Sequence, residues 1–267
     1  MSWNILNVTS CMAGNAESMC RAITRYIGEK LGIETTFVDG MPWPAREALL
    51  DQGRIHLCWI CGLPYVWKAD AGAAVELCVV PVMRHERYAN EAVYFSDVVV
   101  RRDSRFKSFA DLRGASWAYN EPRSHSGHNV VCHYLSGIGE TSRYFGDIIE
   151  SGAHQTSLEM IVGGRVDASA IDSTVLEAEL RLYPALDSEI RIVATLGPSP
   201  MPPWVLHKSV PLELRVALRR VLLEMHEDAE ASGILEQWGI SHFAPAVDVL
   251  YDPIRKMSAE ARHVTLA

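Results

Sequence analysis

Residues 120–129 read NEPRSHSGHN: a carboxylate, a guanidinium, two hydroxyls and two imidazoles, with a glycine directly after the second serine. An apolar-patterned segment follows, with Val130, Val131, Tyr134, Leu135 and Ile138 at helical spacing, so the run sits at a helix start. The first N–H groups of a helix have no intrahelical acceptor, and they lie at the positive end of its dipole. Hydroxyls of Ser124 and Ser126 placed there can donate to an anion, and Gly127 lets the backbone approach it closely. The same residues admit a plainer reading, in which Ser124 or Ser126 only caps the helix.

A second chemical run is CWIC at 58–61. Two cysteines at this spacing raise a redox or zinc pair. On a strand, however, positions 58 and 61 have opposite parity and point to opposite faces, and no second cysteine pair stands at a ribbon-like spacing. Cys58 and Cys61 are therefore expected to be reduced and to bind no metal. The six cysteines, at 11, 20, 58, 61, 78 and 132, read as small buried hydrophobes, since several lie in apolar runs such as VELCVV. No nucleophile motif and no metal cluster stands out, so no catalytic residue and no cofactor is expected.

The elements that must position the loop alternate. WNILNVT (3–9), IETTFVD (33–39), RIHLCWI (54–60) and AVELCVVPV (74–82) read as strands, separated by helices over 14–31, over PAREALLDQG and in GLPYVWKADAG. A polar bridge at 83–92 leads to a second alternation. Strands are expected at 93–101, in ASWAYN, at 166–172 and at 191–197, with helices after the loop, at 154–164 and in STVLEAELRLY. GPSPMPPW (197–204) is proline-rich and reads as a linker or crossing. A strong amphipathic helix follows at 213–228 and a weaker one at roughly 246–262. This is an α/β pattern with largely parallel sheets. It implies two lobes, residues 1–93 with 200–267 and residues 94–199, with a ligand cleft between them.

The chain has 267 residues, enough for a substantial core in one large or two small domains. A net charge of −8 argues against a nucleic-acid partner, although a buried site for a small anion depends on local dipoles rather than on net charge. No stretch is apolar enough to span a membrane, so a membrane-embedded chain is not expected. The N-terminus MSWNILNVTSCMAG lacks the pattern of a signal peptide. A periplasmic location is expected if an export signal lies outside this sequence, and a cytoplasmic one if the sequence is complete.

Several ordered stretches carry a resemblance. YFSDVVVRRDSRFKSFADLRGASWAYNEPRSHSGH (94–128), ESGAHQTSLEMIVGGRVDASAIDS (150–173), PMPPWVLHKSVPLELRVALRRVLLEMHED (200–228) and FAPAVDVLYDPIRKM (243–257) together resemble the phosphate/phosphite/phosphonate-binding proteins of ABC importers. The resemblance implies a type 2 periplasmic-binding fold, two lobes that close on a small anionic ligand, and an ABC permease as partner. The family cradles a phosphoryl group with Ser-Thr-Ser-Gly; this chain has Ser124, His125, Ser126 and Gly127, with histidine in place of threonine. His125 can donate, accept or carry charge, and so could turn the site toward a carboxylate or a bulkier anion. As a cationic contact it would make affinity fall as pH rises through its pKa.

The remaining site residues follow from the same resemblance. Tyr94 matches a tyrosine that reaches the ligand, or else is a core aromatic. His154 matches a ligand histidine at a helix start, or else is a capping histidine. Asp172 matches a ligand aspartate, or else is the N-cap of the next helix. Tyr65 in CGLPY and Trp43 in DGMPWP complete the set, although DGMPWP departs from the family pattern and Tyr65 can equally serve packing. Two other classes of function remain open: a cytoplasmic enzyme of cofactor biosynthesis on this fold, and an anion sensor.

Overall fold

The computed structural model of the protein describes residues 5–266. The chain divides into two units, one holding the residues up to Val93 with Pro200–Tyr251, the other Tyr94–Ser199 with the residues from Asp252 onward.

In chain order, the first unit begins with β1 (Ile5–Ser10), α1 (Glu17–Leu31), β2 (Glu34–Phe37), α2 (Trp43–Asp51), β3 (Leu57–Trp59), α3 (Gly62–Asp70) and β4 (Val75–Met83). The second follows with β5 (Val93–Arg101), β6 (Trp117–Tyr119), α4 (Val130–Gly137), β7 (Ile148–Glu150), α5 (His154–Val162), β8 (Ala168–Asp172), α6 (Ser173–Leu182), α7 (Leu186–Glu189) and β9 (Ile190–Pro200). The first unit is then completed by β10 (Trp204–His207), α8 (Leu212–Leu223), α9 (Ala229–Gln237) and β11 (Ile240–Pro245), and α10 (Asp252–Glu260) returns to the second.

The sheet of the first unit has the order β11-β4-β10-β3-β1-β2. Its β1, β2 and β3 are parallel, whereas β10 runs antiparallel between β3 and β4. The apolar run VELCVVPVM becomes β4 because both its edges are paired and its residues from Cys78 onward are buried. Helix α1 buries Met19, Ile23 and Ile27 along one stripe and stops at Gly32, whose φ of 63° is a left-handed cap that glycine adopts without strain.

The sheet of the second unit has the order β7-β6-β8-β5-β9, with β6 parallel to β7 and β8, and β5 antiparallel to β8. The two-residue period divides its side chains. Val98, Val100, Ala168, Ala170, Trp117 and Tyr119 pack into one core with Phe109, Val131 and Leu135, while Val99, Ile171 and Ala118 enter another with Leu158, Ile161 and Leu176. Ser96 pairs with Asp172 on the first of these faces. This register brings the ends of β5 and β8 to the helix-start loop, against which β8 packs.

Several expectations change. Both sheets are mixed rather than largely parallel, because β10, β11 and β5 insert antiparallel. The strand expected over 3–9 is Ile5–Ser10, and residues 3 and 4 lie outside the described residues. The strand expected over 54–60 shrinks to Leu57–Trp59, and Cys61, beyond its end, is the N-cap of α3. The proline-rich segment is not a linker throughout, since β9 runs on to Pro200. As an edge strand, β9 loses no obligatory ladder bond to a missing proline N–H.

The C-terminal residues are the largest correction. Residues 252–267 were expected in the first lobe, but those from Asp252 onward belong to the second unit. Ala261, Val264 and Leu266 are buried in its core, and Ser136 Oγ donates to the Glu260 carbonyl at 3.1 Å. We expect Leu266→Ala to lower the stability of this unit by about 2–4 kcal/mol. Val249→Ala, at a position 65% exposed, should cost under about 0.5 kcal/mol. Urea denaturation reads both, and equal losses would mean that the C-terminal segment does not pack on the second unit.

Candidate functional site

The run NEPRSHSGHN folds as one π-helical turn, His125–Asn129, leading into α4. The Asn129 N–H donates to the Ser124 carbonyl at 3.0 Å and the Val130 N–H to that of His125, both five residues back. Such widened turns recur at functional sites because they re-aim a helix's first groups. Ser124 Oγ caps the turn by accepting the Gly127 N–H at 3.1 Å. The capping reading is thus realised at Ser124, while Ser126 turns elsewhere.

Ser126 Oγ lies 3.0 Å from His154 Nε2 and 3.4 Å from Ser124 Oγ. His154 is the first residue of α5, is 5% exposed, and its Nδ1 is buried without a hydrogen-bond partner among the described residues. Burial lowers its pKa to about 4, so the ring is neutral. Gly127 closes the cluster. A Cβ there would stand 2.0 Å from Asn120 Oδ1 and 3.3 Å from His154 Cε1, so only glycine leaves room for both side chains.

His125 departs from the expectation of a charged ligand contact. Its ring is fully buried, with Nδ1 3.0 Å from Asn129 Nδ2 and Nε2 2.9 Å from Ser199 Oγ. The Asn129 amide nitrogen can only donate, so Nδ1 accepts and the ring proton sits on Nε2, pointing at Ser199. Burial depresses the pKa to about 3, which removes the cationic form. The histidine that replaces the family threonine therefore braces the turn against the end of β9.

Asp172 is the N-cap of α6, accepting the Thr174 N–H at 2.8 Å and its hydroxyl at 2.7 Å on Oδ1. Burial raises its pKa to about 6 against the lowering effect of those bonds. Opposite it, Ser96 Oγ is buried and unpartnered among the described residues. Tyr94, on the same face of β5 as Ser96, is buried with its ring centroid 6.3 Å from that of His125. The second unit thus gathers Tyr94, Ser124, His125, Ser126, Gly127, His154 and Asp172.

Trp43 and Tyr65 belong to the first unit. Trp43 opens α2 and is half-buried. Tyr65 is buried, donates to Asp248 Oδ1 at 2.6 Å and meets the Tyr251 ring edge-on at 4.7 Å. Sequence reasoning missed Ser96, Asn120, Asn129 and Ser199. Ser96 shares the strand parity of Tyr94 and both asparagines flank the loop, so those three left a signal; Ser199, 74 residues from His125, left none. No group of three or more His, Cys, Asp or Glu among the described residues is arranged to hold a metal ion.

What this arrangement offers is a neutral imidazole beside the start of a helix, held by two serine hydroxyls. It suits an anion whose charge is met by dipoles rather than by a counter-charge.

Comparison with known proteins comes from two directions. A family model described as ABC transporter, phosphonate, periplasmic substrate-binding protein matches residues 12–251. Among solved structures, the fold is similar to PhnD1 from Prochlorococcus marinus in complex with methylphosphonate, with a TM-score of 0.86 at 16% identity over 98% of this chain and 99% of that one. It is also similar to a binding-protein component of an ABC phosphonate transporter from Pseudomonas aeruginosa, with a TM-score of 0.85 at 16% identity over 97% and 87% of the two chains. A Xanthomonas citri protein bound to ATP matches at 0.74 and 17% identity over 97% of each chain.

The buried histidines give this site a pH signature. A histidine whose folded pKa lies below its unfolded value near 6.5 stabilises the protein fully above that value, and the contribution is lost as pH falls toward the folded pKa. Asp172, raised to about 6, works in the opposite sense over part of the same window. Between about pH 7 and pH 5, His154→Gln should lose about 2 kcal/mol less stability than the wild type. Urea denaturation at the two pH values measures this, and an identical loss in both proteins would mean that His154 is solvated. Separately, Gly127→Ala should destabilise the fold by roughly 1–3 kcal/mol through its clash with Asn120, and Asn120→Ala in the same chain should recover most of that loss.

Proposed function

The chain belongs to the phosphonate-binding periplasmic substrate-binding proteins of ABC transporters, and from that premise we propose that its π-helical turn, with His154, receives the anionic head of a phosphonate- or phosphate-like ligand. The family's work implies a permease as partner, and no helix among the described residues is long and apolar enough to cross a membrane.

The observation that carries the proposal is His154 Nδ1. A buried nitrogen without a partner is costly and is retained where something else supplies the bond. With Ser126 Oγ donating to Nε2, Nδ1 carries the ring proton and becomes a donor for a ligand oxygen. Ser126 then contributes by fixing the tautomer and its own N–H by facing the anion. Ser124 and Gly127 hold the turn in shape, and His125 positions it from behind. Asp172, Ser96 and Tyr94 line the same face of the sheet, where a carboxyl with a raised pKa can accept from a hydroxyl or ammonium on the ligand. Trp43 and Tyr65, in the first unit, enter the proposal as ligand contacts on the strength of the resemblance alone.

Titration calorimetry with methylphosphonate, inorganic phosphate and succinate tests this reading. We expect the phosphorus ligands to bind and the dicarboxylate not to. His154→Ala should weaken binding by roughly tenfold to a hundredfold, the range of one charge-assisted hydrogen bond, and Ser126→Ala, which frees the His154 tautomer but keeps the backbone N–H, should weaken it less. Affinity should not fall between about pH 6 and pH 8 on account of His125, because its pKa is already near 3. Phosphorus NMR should return the ligand unchanged. Succinate binding in preference to phosphonate, or unchanged affinity in both variants, would overturn the proposal.

A further inference from the structure

The cysteine that sequence parity left alone has a neighbour in space. Cys58, on β3, lies with its Sγ 3.7 Å from that of Cys11, the residue directly after β1. Parallel pairing continues past the end of β1, where the Cys11 N–H donates to the Trp59 carbonyl at 2.8 Å. The residue before it is held just as firmly: Arg46 Nη1 donates to the Ser10 carbonyl at 2.9 Å, and the Met12 N–H donates to Ser10 Oγ at 3.1 Å. The two sulfurs are therefore brought together by backbone order rather than by chance orientation of a loose side chain.

We propose that Cys11 and Cys58 are a disulfide-forming pair and that the mature protein carries this bond when a disulfide-class oxidant reaches it. The periplasm, where the family works, is an oxidising compartment in which such bonds form and persist. The sulfurs stand 3.7 Å apart and must close to about 2 Å to bond.

Cys11 is half-buried and Cys58 fully buried, so Cys11 meets the oxidant first. Burial, and then the hydrogen bond with Cys11, hold the Cys58 thiol well above its usual pKa, so it is not the thiol that attacks first. The Cys11 thiolate attacks one sulfur of a small disulfide such as oxidised glutathione. A Cys11–glutathione bond forms, the oxidant's S–S bond breaks, and one glutathione thiolate leaves with the bonding pair. Cys58 then gives up its proton and attacks Cys11 Sγ, expelling the second glutathione as thiolate. The two protein thiols lose two protons and two electrons, and the oxidant gains both.

The bond has a structural consequence. Cys11 Sγ now also lies 3.9 Å from the Trp43 carbonyl at the start of α2, and turning toward Cys58 withdraws it from that contact. Linking residues 47 apart restricts the unfolded chain, so the oxidised form should unfold at higher urea than the reduced one.

The experiment incubates the full chain with oxidised glutathione, alkylates remaining thiols and maps the peptides by mass spectrometry. The expected result is loss of two hydrogens, a Cys11–Cys58 linkage, four alkylated cysteines out of six, and a urea midpoint that rises on oxidation and returns on reduction. In Cys58→Ala, Cys11 should stop at a stable glutathione adduct. Six alkylated thiols in the wild type, a lasting glutathione adduct on wild-type Cys11, or a linkage to Cys20 or Cys61 would overturn the proposal. The readout is independent of whether any phosphonate binds.

Discussion

The second unit depends on one constraint, that a helix starting in the protein interior must satisfy or redirect its first N–H groups. Here α4 does so through a widened turn, in which Ser124 takes up the Gly127 N–H while Ser126 is left to face His154. Everything around the turn follows from keeping that geometry. Gly127 has no Cβ because Asn120 fills the space, and the Ser96–Asp172 register of β5 and β8 delivers polar groups to the same end of the sheet. Apolar packing of Val131 and Leu135 below the turn fixes the direction in which it points.

The histidines show how burial decides chemical role. His125 and His154 lie 29 positions apart in the chain, are equally neutral, and yet do different work. His125 has both ring nitrogens engaged, one by Asn129 and one by Ser199, so its ring is spent on holding the turn. His154 has one nitrogen engaged and one buried without a partner among the described residues, which is a capacity for a further bond. Protonating either would place a charge where water cannot reach it, and desolvation therefore keeps both uncharged. A site made of neutral donors can hold an anion without a permanent counter-charge.

The first unit shows the same logic applied to sulfur. Cys58 is buried because β3 lies inside the sheet, between β1 and β10. Cys11 comes to it because β1 continues its ladder for one more residue. Parallel pairing thus joins residues distant in sequence without a turn to announce them.

The sequence by itself determined a great deal: the alternation of strands and helices, the chain crossings near 93 and 200, the helix-start loop and the family. These rest on local periodicity, glycine and proline punctuation, and ordered motifs, all of which are written in neighbouring residues. It misread the loop's histidine, since His125 as a free imidazole is a candidate cation and only Ser199 and Asn129 make it a brace. It misread the C-terminus, whose apolar residues Ala261, Val264 and Leu266 would suit either core and find theirs in the second. It took the parity of Cys58 and Cys61 from a strand that ends before Cys61, and had no means of seeing Cys11. What only the tertiary structure decided are pairings across long stretches of chain, because side-chain partners there are chosen by sheet register and burial, and neither is a property of a sequence window.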